Sequence, residues 1–164
     1  MVRLLFVFIT SFSLCYLSLW GTKGEASPLF SNVNPVLFVL GALFGALSLA
    51  FFNYVEGVLK DIPKKLKQQK PKAFIMVVEA LTDLKHEVII NVVLVVVFLM
   101  VAFVVGAVSE MPFMQSVEPL NYLMWAALSV RGACLISVLV VMCVQLAGFV
   151  TANKLRAEVS MSGE

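Results

Sequence analysis

Lys60-Asp61-Ile62-Pro63-Lys64-Lys65-Leu66-Lys67-Gln68-Gln69-Lys70-Pro71-Lys72 is the one long polar run in a very apolar chain. Hydrophobic segments flank it on both sides, so its location fixes the direction of every other segment. Of 164 residues, 61% are hydrophobic and 13% are charged, and the mean hydropathy is +0.99. A soluble domain carries about 25% charged residues. The composition therefore predicts an all-α integral membrane protein, a single domain over 1–164.

Four apolar runs are long enough to be spans, at about 4–20, 35–57, 88–108 and 122–150, since about 20 helical residues cross a bilayer core of ~30 Å. The first follows Arg3 and ends at Trp20, an interfacial anchor. It reads as a retained anchor; with Gly24 and Ala26 at a cleavage spacing, it also reads as a signal peptide. Residues 21–34 read as a loop, because Gly21, Gly24, Ser27, Pro28, Ser31, Asn32 and Asn34 supply turn chemistry. Pro35 then suits the first turn of the second span.

The basic residues orient the spans. Arg3, Lys60, Lys64, Lys65, Lys67, Lys70, Lys72, Lys85, Lys154 and Arg156 all fall on one side of this four-span arrangement. Lys23 falls on the other, and Arg131 lies within the fourth span. The positive-inside rule places both termini and residues 58–87 in the cytoplasm. The expected location is the cell inner membrane, with a cytoplasmic helical hairpin between the second and third spans.

That cytoplasmic segment is basic at its tip and acidic along its stem, where Glu79, Asp83 and Glu87 lie four apart. Pro71 breaks one helix, and a new one is expected from about Lys72 into the third span. Phe74, Val77, Leu81, Leu84, Val88 and Asn91 alternate three- and four-residue steps, the spacing of a helical packing seam. Three readings follow. The stem packs on an extension of the second span; it assembles with copies of itself or docks a cytosolic protein; or it lies in the membrane interface. Lys64, Lys65, Lys67, Lys70 and Lys72 with Phe74, Val77, Leu81 and Leu84 are the candidate docking residues. The lysines also favour anionic lipid head groups, by about 1 kcal/mol each near the surface.

Inside the spans, three features stand out. Gly41 and Gly45, with Ala42, Ala46 and Ala50, form a small-residue pattern that allows close helix approach. It serves packing within the chain or a homo-oligomer seam. Arg131 is a charge that costs at least ~2.5–3.5 kcal/mol to insert. It is expected to snorkel toward Glu110 or Glu118, or to meet an internal polar group. Gln145 is fourteen positions on, only about 40° away round a helix, so the two define a candidate polar stripe. The cysteines, Cys15, Cys134 and Cys143, all sit in apolar runs and read as small packing residues.

No motif for catalysis, phosphate binding or metal binding is present. Asp83, His86, Glu79 and Glu87 lie on one helix, which is a poor metal site without a second ligand cluster. No metal, cofactor or catalytic residue is expected. The lysine run lacks the interleaved aromatics and folded module of a nucleic-acid binder.

Four spans, cytoplasmic termini and the basic-then-acidic stem between Lys60 and Glu87 resemble the small four-span inner-membrane proteins of bacterial anti-phage systems. In plan the chain looks most like the membrane subunit of the Kiwa system, and the lambda exclusion membrane protein is similar in outline. The resemblance covers the whole chain and is one of layout. It implies a membrane anchor and sensor that recruits a soluble effector through its cytoplasmic side, in defence against virus. The expected function is thus a non-enzymatic, oligomeric docking subunit. A small oligomeric channel lined by Arg131 and Gln145 and a transporter accessory or assembly factor are the alternatives.

Overall fold

The structure, a computed structural model, describes residues 2–61, 71–111 and 121–161. These residues form five helices: α1 (Val2–Gly21), α2 (Ser27–Ser31), α3 (Asn34–Asp61), α4 (Pro71–Ser109) and α5 (Asn121–Met161). There is no strand among the described residues. Four of the helices, all but α2, are long and apolar enough to cross a membrane. In hydrocarbon an α-helix satisfies its own backbone hydrogen bonds, which is why valine-rich stretches of weak helical propensity in water persist as helix here.

The expected loop at 21–34 contains a helix. Lys23 and Gly24 take positive φ, 51° and 89°, which reverses the chain after α1. Gly24 suits that conformation because it has no Cβ to clash. Pro28 then lies in the first turn of α2, where a missing N–H costs nothing. Gly24 does form the turn, but three of the turn-forming residues, Ser27, Pro28 and Ser31, wind into one short helical segment.

The last two helices are longer than the ~30 Å hydrocarbon core of a bilayer is thick. α4 has 39 residues, about 58 Å at 1.5 Å per residue. α5 has 41, about 61 Å by the same rise. Pro71 opens α4, so the stem and the third apolar run form one continuous helix.

The chain divides into two compact units. The first comprises Met1–Ala42 and Leu94–Val141, the second Leu43–Val93 and Met142–Glu164. In the first unit, Val33, Leu37, Ala102 and Cys134 form a buried core, joined by Phe8, Phe98, Leu99, Val130 and Leu135. The rings of Phe8 and Phe98 stack at 5.8 Å. Glycine permits the closest approaches: a Cβ on Gly132 would lie 2.8 Å from the Phe30 ring and 2.9 Å from Cys15 Sγ.

In the second unit, Phe51, Val55, Val58, Leu81, Val88 and Ala152 form the core. Phe149 packs edge-on to Phe51 at 5.6 Å, and the Tyr54 hydroxyl donates to Asn153 Oδ1. Most described charges belong to this unit, including Glu56, Lys60, Glu79, Asp83, Lys85, Glu87, Lys154 and Arg156.

Candidate functional site

Arg131 is fully buried, at 0% exposure, in the first unit. Its Nη2 donates to Asn34 Oδ1 at 2.6 Å. Asn34 is the first residue of α3. On another side the guanidinium lies against Gly106, where a Cβ would come within 3.0 Å of Arg131 Cζ. Gly106 is in the last turn of α4, next to buried Ser109, whose hydroxyl donates back to the Gly106 carbonyl at 2.7 Å. The cation therefore sits at the negative end of one helix dipole, a favourable place for it. The charge of Glu110, one residue past α4, also reaches it. Nε and Nη1 have no hydrogen-bond partner among the described residues.

Arg131 thus meets an internal polar group, the second of its two expectations; among the described residues it makes no ion pair with Glu110. Glu118 lies outside the described residues. The sequence singled out Arg131 but not its two neighbours. Asn34 was read as a turn residue, and its place directly before Pro35 at a span entrance was the available signal. Gly106 carried none beyond being a glycine near a span's end.

Gln145 is buried in the second unit, 2% exposed. Its Nε2 donates to Ser48 Oγ at 2.9 Å, while its Oε1 is unpartnered among the described residues. Asn91, 6% exposed, and Glu87 line a cavity with Gln145 of about 10 Å³, room for roughly one water. Arg131 and Gln145 are therefore each covered by their own unit and met by different partners. Ser48, hidden in an alanine- and leucine-rich run, was the residue the sequence did not reveal.

The stem seam has a clear place. Leu81 and Val88 are buried with Phe51, Val55 and Val58, and Val77 and Leu84 pack beside them. Phe74 is half-buried. Of the candidate docking residues, Leu81 is thus wholly covered by its own chain, and Lys72 is exposed. Lys64, Lys65, Lys67 and Lys70 lie outside the described residues. On the opposite side of the stem, Ile75 and Met76 are 60% and 70% exposed, and Glu79, Thr82, Asp83 and His86 are exposed too. No group of three or more His, Cys, Asp or Glu is placed to hold a metal among the described residues.

The small residues of α3 separate. Gly41 packs in the first unit, where a Cβ would meet the tip of Leu99 at 2.8 Å. Gly45 has nothing within 4 Å of its Cβ position, and Ala42, Ala46 and Ala50 are exposed. Only Gly41 of the five is drawn into close packing with its own chain.

Comparison with family models, curated proteins and solved structures finds no match to this chain.

Proposed function

We propose that this chain is a non-enzymatic anchor of the bacterial inner membrane that docks a soluble cytoplasmic protein, in an oligomeric assembly serving anti-phage defence. The observation that carries the reading is the outer face of the stem. α4 is about 28 Å longer than the ~30 Å core it crosses, and its first turns keep Ile75 and Met76 exposed beside an acidic row. The seam on the opposite face is already used within the chain. An apolar pair set among carboxylates suits a partner with a basic, apolar-centred surface. Contiguous exposed apolar surface outside the bilayer marks contact sites. The lysine distribution supports a cytoplasmic location for this end.

A pore is the weaker reading. It would need Arg131 and Gln145 to face a common path, and both are covered by their own chain. The test is pull-down of the full chain from its native host. A soluble cytoplasmic protein should be recovered with wild type and lost with Ile75→Asp/Met76→Asp at unchanged membrane abundance. Protection against phage should fall in parallel. Equal recovery and equal protection in the double variant would refute the docking face.

A further inference from the structure

The second unit carries an open groove of about 320 Å³ along its α3 and α4 segments. That volume is in the range of small-molecule sites, roughly 300–1,000 Å³. Gly45, Leu49 and Phe52 line one wall, and Ile89 and Val93 the other. Ser48 is the one polar side chain on it among the described residues, and its hydroxyl already meets Gln145. Gly45 leaves the groove open on its wall: nothing from the rest of the chain lies within 4 Å of that residue's Cβ position.

One end of the groove is cationic. Lys85 Nζ sits 4.5 Å above the ring of Phe52, which itself lines the groove. Lys85 makes no ion pair among the described residues. The nearby carboxylate of Glu56 pairs with Lys60 at 3.2 Å, and its field reaches both lysines. From Lys85 to Val93 is eight residues, about 12 Å along α4. An apolar trough of that length, ending at an ammonium, matches one molecule in shape and charge.

We infer that this groove is a binding site for an anionic phospholipid, with an acyl chain along Gly45, Leu49, Ile89 and Val93 and the phosphate at Lys85. Charge decides against the other apolar occupant, a helix from a second copy. Copies in one membrane share an orientation, so a second chain would bring its own Lys85 to the same end, together with a Lys60 already paired with Glu56. An anionic head group instead gives Lys85 an ion pair, which it does not make among the described residues. The inference stands whether or not the stem docks a protein.

The test is native mass spectrometry of the full chain extracted from vesicles of equal parts phosphatidylglycerol and phosphatidylcholine. Wild type should retain phosphatidylglycerol over phosphatidylcholine by about fivefold, the factor one lysine near the surface supplies. Lys85→Gln should abolish that preference. Gly45→Leu, which fills open space, should lose retained lipid of both kinds while keeping helix content and its elution volume. If Gly45→Leu misfolds, Val93→Phe closes the groove from the other wall and takes its place. Equal retention of the two lipids by wild type overturns the inference, as does undiminished lipid on the filled groove. A dimer that holds no lipid and that Gly45→Leu splits also overturns it, assigning the groove to a second copy.

Discussion

The two units solve the same problem, a polar side chain of α5 inside an apolar protein, with opposite economies. The first buries a permanent cation, Arg131, against one neutral acceptor, Asn34. The second buries a neutral amide, Gln145, against one hydroxyl, Ser48. A buried charge that loses its hydrogen-bond partner costs more than a neutral group in the same position. The first unit should therefore be the one that cannot tolerate loss of its acceptor. Among the described residues of the second, the buried polar side chains, Ser48, Asn91 and Gln145, are all uncharged.

That contrast sets the largest expected effect. Asn34→Leu strands the guanidinium and should destabilise the chain by about 3 kcal/mol. Denaturant unfolding in detergent micelles would measure it. Adding Arg131→Met should return most of that loss, because an apolar side chain of similar volume no longer needs the acceptor. If Asn34→Leu is as stable as wild type, the Arg131–Asn34 bond does not organise the first unit. If the double variant is no better than the single one, the cost lies in the entrance of α3 rather than in the charge.

A middle-sized effect separates the units by packing. Gly132→Ala places a methyl group within 2.9 Å of both Phe30 and Cys15, side chains held by two other segments. Overpacking of this kind costs about 1–3 kcal/mol. Gly148→Ala, in the second unit, meets nothing nearer than Phe51 at 3.5 Å. It should be neutral within about 0.5 kcal/mol, the usual range for changes away from such features. Thermal unfolding of the two variants side by side would show the asymmetry. Similar melting temperatures would mean that α2 is free to move away from α5.

The same asymmetry explains what was legible in the sequence. The four long helices were, because each is an apolar run bounded by charge or by Gly and Pro. So was the packing phase of the stem: Val77, Leu81, Leu84 and Val88 repeat at seam spacing, and they do line the second unit's core. Spacing names a face and not its partner, so an extension of the second span was one of three readings. Phe51, Val55 and Val58 of α3 do pack there, joined by Ala152 of α5, which the sequence did not name. α2 was hidden because Ser, Pro and Asn favour turns and helix starts alike. The contacts of Arg131 and Gln145 were hidden for another reason. Asn34 and Ser48 each lie 97 positions from the group they meet, and neither has a local pattern that marks it. A costly residue announces that it needs a partner, but not where in the chain that partner is.

The smallest effect tests the second unit's side of the comparison. Ser48→Ala removes the acceptor of Gln145 Nε2 and should cost only about 0.6 kcal/mol, the average for interhelical hydrogen bonds in membrane proteins. Two features keep the loss small. Gln145 is neutral, and the cavity beside it is bordered by Asn91 and Glu87, polar groups to which a rotated amide can turn. Filling that retreat should expose the hidden dependence. Ser48→Ala combined with Asn91→Leu should cost more than the sum of the two single changes, read as a coupling in a double-mutant cycle. Strict additivity would show that Gln145 draws nothing from Asn91, and the second unit would then be as reliant on a single acceptor as the first.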